Sequence, residues 1–147
     1  MSEANKDLVR RYQEAYNGNN LDELDALLSP DWETNAWPEG VPQSIDSAKA
    51  FYQAVLEVFP DIHYSTENLI AEGDHVVQRW TVTTTHKGEF IGLPPTGARV
   101  TVRGMSLFRI ADGRIVEHWA FADELGFLAQ LGADVPADWL AIGHRSS

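Results

Sequence analysis

The chain has 147 residues, of which 44% are hydrophobic and 22% charged, and this length and composition fit one globular domain over residues 1–147. Its formal net charge of -11 argues against nucleic acid and anionic membranes as partners, because both attract basic proteins. It has no cysteine, which excludes disulfides, thiolate metal sites and cysteine nucleophiles. A signal-peptide pattern and an apolar run of roughly 18 residues are both absent, so we expect a cytoplasmic protein.

The first part of the chain predicts three helices. Apolar side chains recur at spacings of three and four from Glu3 to Tyr16, which indicates an amphipathic helix. Asn20 is placed to cap a short second helix that Ser29-Pro30 ends, with four leucines on one side: Leu21, Leu24, Leu27 and Leu28. Residues 31–44 show no period and predict a packed loop. A third helix follows this loop and runs to Phe59.

After Pro60 the pattern changes to strands. β-Branched and aromatic residues dominate Val76–Thr85 and Val100–Ile110. Asp112-Gly113 predicts a tight hairpin, because such a turn needs the positive φ that these two residues tolerate. Asp123 to Leu131 predicts a last helix, and residues 132–147 a tail.

Helices followed by a meander of strands predict an α+β fold. The N-terminal helices are expected to pack on the concave face of a curved, mostly antiparallel sheet that closes only partly. The gap between such a sheet and its helices is a natural cavity for a hydrophobic small molecule. We therefore place the candidate binding site in that gap.

His118 is the candidate for acid/base chemistry. It lies in the middle of a strand, where alternation puts it on one face with Val116 and Ala120, opposite Glu117 and Trp119. A histidine facing the cavity, with an ordinary pKa of about 6.5, is a usable acid or base. The same pattern also fits a core histidine that is bonded to a neighbouring hydroxyl or carbonyl.

Other polar features carry weaker predictions. The histidines show no close metal-ligand spacing, so no metal site is predicted. His86 ends a strand, where a rim or a pocket position fits equally, and His75 and His144 are expected at the solvated surface. Asp123 is placed to cap the last helix. The segment 92–97 leads into a strand, so it offers a phosphate no helix N-terminus.

Three stretches resemble the SnoaL-like polyketide (ester) cyclase family. They are Gly88-Glu-Phe90-Ile-Gly92-Leu-Pro94-Pro95-Thr96-Gly97, Phe108-Arg-Ile-Ala-Asp112-Gly113-Arg-Ile115-Val-Glu117-His118-Trp119 and Asp123-Glu-Leu-Gly126-Phe-Leu-Ala-Gln-Leu131-Gly132. With the N-terminal helices, the likeness covers about residues 5–132. It implies the cone-shaped, partly closed α+β barrel of the nuclear transport factor 2-like superfamily, assembled as a homodimer or homotetramer through sheet faces. It also implies ring closure by intramolecular aldol condensation without metal or cofactor.

The resemblance also implies roles for particular residues. The family's acid/base is an aspartate two positions after the histidine that matches His118, and this chain has Ala120 there. A second family histidine falls at Ser106, which can hydrogen-bond but cannot act as a general base near neutral pH. The family's pocket positions on the first and third helices fall at Tyr16 and Phe51.

These observations give one candidate site and three open functions. The catalytic candidates are His118, Ser106 and Asp123, and the substrate-binding candidates are Tyr16, Trp32, Asn35, Trp37, Phe51, Trp80, Phe108 and Ala120. The first function is a cofactor-independent cyclase acting on a polyketide-like carbonyl compound. The second is a binding or accessory protein that has lost the aspartate. The third is an isomerase, dehydratase or epoxide hydrolase that uses the same pocket.

Overall fold

The computed structural model describes residues 2–37 and 39–134. Its helices are α1 (Ser2–Asn17), α2 (Leu24–Leu27, after a 3-10 turn at Leu21–Glu23), α3 (Ile45–Val58) and α4 (Glu124–Gln130). Its strands are β1 (Leu28–Thr34), β2 (His63–Glu72), β3 (His75–Thr85), β4 (Arg99–Ala111) and β5 (Arg114–Ala122). The predicted tail lies mostly outside these residues, and so does His144. No helix in the described ranges is long and apolar enough to cross a membrane.

The five strands form one sheet in the order β1-β5-β4-β3-β2. The pairs from β2 to β5 are antiparallel and follow the chain as a meander, whereas β1 runs parallel to β5. Asp112 and Gly113 both have positive φ, of 53° and 73°, at the β4–β5 turn. The predicted α+β class and the hairpin are therefore confirmed.

The main core lies between α1 and the inner face of the sheet. The buried residues of α1 are Leu8, Val9, Tyr12 and Ala15, spaced as one helical stripe. They pack with buried residues of the sheet and of the short helical turns, among them Leu24, Phe108 and Ile115. The helical periodicity in the sequence therefore identified the correct face of α1.

The prediction of a loop after Pro30 was wrong for residues 31–34, which belong to β1. Leu28 was also assigned to the second helix but is a fully buried strand residue. The local pattern hides this strand because its register against β5 is irregular between Leu28 and Glu33. Pro30 is tolerated because β1 is an edge strand, and its missing N–H breaks no ladder.

A second apolar cluster lies under the loop 87–98. Phe59, Val100 and Leu131 are its buried members. His86 is completely buried there, with Nδ1 2.9 Å from the Thr96 hydroxyl and with no hydrogen-bond partner for Nε2 among the described residues. It therefore occupies neither the rim nor the pocket expected for it. His75 is the first residue of β3 and is partly exposed, with Nδ1 2.7 Å from the Asp74 carboxylate.

Candidate active site

A cavity of about 240 Å³ lies between the inner face of the sheet and helices α1 and α3. All the predicted site residues line it except Asn35 and Asp123. Among the residues that the structure describes, the lining contains no Asp, Glu, Lys or Arg, and its titratable members are His118 and four tyrosines. The cavity is therefore an apolar, uncharged environment with a few polar atoms in its wall.

His118 lies on the sheet wall of this cavity. Its imidazole stacks on the Phe108 ring with 4.6 Å between centroids and 3° between planes, and the Tyr12 ring meets it edge-on at 5.8 Å. Burial lowers the pKa of His118 to about 4, because an imidazolium loses hydration in apolar surroundings. His118 is therefore neutral at physiological pH.

Ser106 connects His118 to an indole. The Ser106 hydroxyl oxygen lies 3.1 Å from Nε2 of His118 and accepts a hydrogen bond of 2.9 Å from Nε1 of Trp80. Ser106 is buried in β4 and pairs with Ala120 of β5. A His118 bonded to a neighbouring hydroxyl is one of the two alternatives that the sequence leaves open, and Ser106 supplies that hydroxyl.

Asn35 fixes the backbone at Ala120 and is absent from the cavity lining. Its amide oxygen accepts from the Ala120 N–H at 2.8 Å, and its amide nitrogen donates to the Ala120 carbonyl at 3.2 Å. This double contact ties the end of β1 to β5. Asn35 therefore positions the wall beside His118.

Asp123 lies at the start of α4 and does not line the cavity. Its carboxylate accepts a hydrogen bond of 2.9 Å from the Gly126 N–H, which is the N-cap geometry that the sequence predicts. The structure therefore shows a capping role and does not bring Asp123 to His118.

An aromatic row leads from the surface into the cavity. Trp32 is buried and meets Trp37 edge-on at 5.2 Å, and Trp37 lies 5.9 Å from Phe51. Phe51 is 45% exposed, so it marks the outer end of the row. These flat surfaces suit a planar, conjugated ligand.

Sequence reasoning missed three tyrosines that line the cavity with Tyr16, namely Tyr12 of α1, Tyr52 of α3 and Tyr64 of β2. The Tyr12 hydroxyl donates to the Tyr16 hydroxyl at 3.4 Å, and the Tyr52 hydroxyl donates to the Tyr16 carbonyl at 2.9 Å. Burial raises the pKa of Tyr12, Tyr16 and Tyr64, and that of Tyr52 to about 12. All four hydroxyls therefore remain protonated donors. For Tyr12, the sequence signal was its spacing from Tyr16, because residues one helical turn apart lie on the same face of α1.

A polar network that sequence reasoning also missed closes the wall beside Ser106. The Thr66 hydroxyl donates to Oε1 of Gln13 at 2.8 Å, and the Gln78 amide donates to both, at 2.7 and 2.8 Å. The Gln78 amide nitrogen thus joins α1, β2 and β3 in the cavity wall. The sequence signal for this network was Gln78, a glutamine at an inward-facing strand position that pairs with Ser106.

No group of three or more His, Asp or Glu in residues 2–37 and 39–134 is placed to hold a metal ion. Fold and cavity together define an α+β protein with an apolar internal cavity that a neutral histidine lines. A sequence profile of SnoaL-like polyketide cyclases matches residues 6–131. The chain belongs to this family.

Three similar proteins illustrate the relationship. The aklanonic acid methyl ester cyclase of Streptomyces peucetius is 30% identical over 134 residues, which cover 88% of this chain and 92% of that protein. The nogalonic acid methyl ester cyclase of Streptomyces nogalater is 33% identical over 129 residues, covering 84% and 94%. The structure of TsrD from Streptomyces laurentii superposes with a TM-score of 0.82 at 28% identity, covering 91% and 98%. The expected cone-shaped, partly closed barrel is confirmed.

Proposed function

We propose that this protein is a cofactor-independent cyclase that closes a ring in a polyketide-like ester by intramolecular aldol chemistry. Its relatives are named for cyclising the methyl esters of aklanonic and nogalonic acids, which supports a conjugated carbonyl ester as substrate class. The cavity supports the same class, because its aromatic walls suit a planar ring system and its tyrosine hydroxyls can donate to carbonyl oxygens.

The observation that carries the proposal is His118, a neutral imidazole in the cavity wall. A carbon between two carbonyls is already acidic, and the conjugated substrate delocalises the carbanion. The protein then needs only to move a proton and to polarise an oxygen. His118 serves as the base, and Ser106 and the tyrosines serve as donors to oxygen. This chemistry requires no cofactor.

Turnover of an aromatic polyketide methyl ester with a 1,3-dicarbonyl carbon tests this function. His118→Ala should lower kcat by ~10²–10⁴-fold, the usual contribution of a positioned acid or base. His75→Ala is the matched control, because His75 lies at the start of β3 and does not line the cavity. Cyclisation at the wild-type rate in His118→Ala would contradict the proposal.

A binding or accessory role is the second candidate, and the alanine at position 120 favours it. This function predicts that the same ester binds in calorimetry and is recovered unchanged. Chemical conversion of the bound ester at a rate that depends on His118 would exclude it.

The outer face of the sheet supports a homodimer or homotetramer. Four exposed apolar residues form two cross-strand pairs on β4 and β5, Met105 with Phe121 and Leu107 with Trp119. An apolar patch of this kind is typical of an interface. Phe121→Glu should yield monomers in sedimentation velocity. Ile91→Glu, which also replaces an exposed apolar side chain by a charged one but lies on a loop outside the patch, should not. A monomeric wild-type protein would contradict this assembly.

A further inference from the structure

The hydrogen bonds around Ser106 leave few positions for its proton. One lone pair of its hydroxyl oxygen is taken by the N–H of Trp80, which can only donate. The remaining contact is with Nε2 of His118. Ser106 therefore either donates its proton to Nε2 or accepts the proton of Nε2 and turns its own proton elsewhere.

The other nitrogen of His118, Nδ1, is not used in the contact with Ser106. Nδ1 has no hydrogen-bond partner in the described part of the chain, and it is not among the buried polar atoms that lack one. Since the His118 side chain lines the cavity, Nδ1 is available to a ligand that occupies it. His118 thus presents one nitrogen to the ligand and the other to Ser106.

The two proton arrangements of this pair differ in which imidazole nitrogen carries the proton and in where the Ser106 hydroxyl donates. When Nε2 carries the proton, Nδ1 is a bare lone pair and the Ser106 hydroxyl is free to donate to a ligand. When Ser106 donates to Nε2, the proton of the imidazole resides on Nδ1. Both arrangements are neutral. Conversion of the first into the second takes up a proton at Nδ1 and releases one at the Ser106 oxygen.

We propose that Ser106 and His118 form a proton relay that takes a proton from a substrate carbon at Nδ1 and delivers one to a substrate oxygen from the Ser106 hydroxyl. This inference rests on the proposed aldol function and specifies its proton path. The C–H bond at the nucleophilic carbon breaks, its electron pair forms the new C–C bond, and the π electrons of the attacked carbonyl move to oxygen. That oxygen receives the Ser106 proton, Ser106 receives the proton of Nε2, and Nδ1 holds the proton from carbon.

The balance of this relay matches the reaction. An aldol addition is an isomerisation that moves one proton from carbon to oxygen, and the relay moves one proton with no oxidant, reductant or net charge. The pair returns to its first arrangement by exchanging protons with water after product leaves. Trp80 assists the delivery, because its N–H stabilises the negative charge that develops on the Ser106 oxygen.

The cavity favours a neutral relay over a free imidazolium. Within residues 2–37 and 39–134, no carboxylate lines it to balance a positive charge. The groups that face His118 from α1 and β4 are the Tyr12 ring, the Phe108 ring and Ser106. Nδ1 and the Ser106 oxygen also lie on opposite sides of the imidazole. The substrate class is therefore a compound whose acidic carbon and whose accepting carbonyl are separate groups.

Ser106→Ala and Ser106→Thr test the relay on a polyketide methyl ester that the wild-type protein cyclises. Ser106→Ala should lose ~10²–10⁴-fold in kcat, and Ser106→Thr should recover most of it because the hydroxyl is restored. Rates in mixtures of H2O and D2O should curve for the wild type, since several protons move together, and become linear for Ser106→Ala. Thr84→Val removes a buried hydroxyl of β3 outside the cavity and should leave both the rate and the curvature unchanged.

The outcomes separate the relay from the proposed function. If the wild type turns over and Ser106→Ala keeps its rate or its curved isotope response, the relay is overturned and the cyclase function stands. If no variant and no wild-type protein cyclises the ester, the proposed function fails and the relay fails with it. A rate loss in Ser106→Ala that Thr does not repair would also count against a proton role for the hydroxyl.

Discussion

Replacing Ala120 by Asp places a carboxylate on the cavity wall next to His118. The two side chains are two residues apart on one face of β5, and the Ala120 backbone is held by Asn35. Two residues along a strand span ~6.6 Å. At that distance and an effective dielectric constant of ~20, opposite unit charges attract by ~2.5 kcal/mol.

This attraction stabilises the imidazolium form and therefore raises the pKa of His118. An interaction of ~2.5 kcal/mol corresponds to ~2 in pKa, so the value should rise from about 4 in the present chain to ~6 in Ala120→Asp. Ala120→Asn is the matched control, because it has the same shape without the charge and should leave the pKa near its original value.

The assay is an NMR titration of the His118 ring protons in both variants, read beside their cyclisation rates. A higher pKa in Ala120→Asp than in Ala120→Asn, together with faster turnover, would show that position 120 tunes the base. Equal pKa values in the two variants would refute the reasoning, because the new carboxylate would then not act on His118.

Three further predictions concern stability. Phe108→Ala removes a completely buried ring that stacks on His118 and should cost ~3–5 kcal/mol in urea unfolding; a loss under 1 kcal/mol would contradict the packing. The pKa of His118 is lowered from 6.5 to about 4 in the folded state, so the unfolded state binds a proton more readily between these pH values. Acidification from pH 6.5 to 4 should therefore lower the free energy of unfolding by up to ~3 kcal/mol, and His118→Gln should not show this loss. Hydrogen bonds from Thr85 lower the pKa of Asp61 from 3.8 to about 2, so Asp61→Asn should destabilise the protein at pH 7 and have no such effect at pH 2.

Helical periodicity and strand alternation were sufficient for much of the fold and site. The stripe on α1 identified its buried face, and alternation on β5 put His118 on the inner side with Ala120. Both patterns are local, since each depends only on the geometry of one element. They can therefore be recognised from a single sequence.

The features that were missed depend on pairings distant in sequence. β1 is a strand because it pairs in parallel with β5, some 85 residues later, and nothing within residues 28–34 encodes that partner. His86 is buried because a later loop folds over it and Thr96 bonds to its ring. Gln78 is held in the cavity wall by hydrogen bonds to Gln13 and Thr66, which belong to two other elements.

The central claim is that the neutral His118 imidazole moves the proton in ring closure. The direct measurement is kcat/KM of the wild type on a polyketide methyl ester between pH 3 and 8. We expect kcat/KM to rise with half-maximum near the lowered pKa of His118, about 4, and then to reach a plateau. We expect this activity to be lost in His118→Ala. Cyclisation that persists unchanged in His118→Ala, or that reaches half-maximum only near pH 6.5, would contradict it.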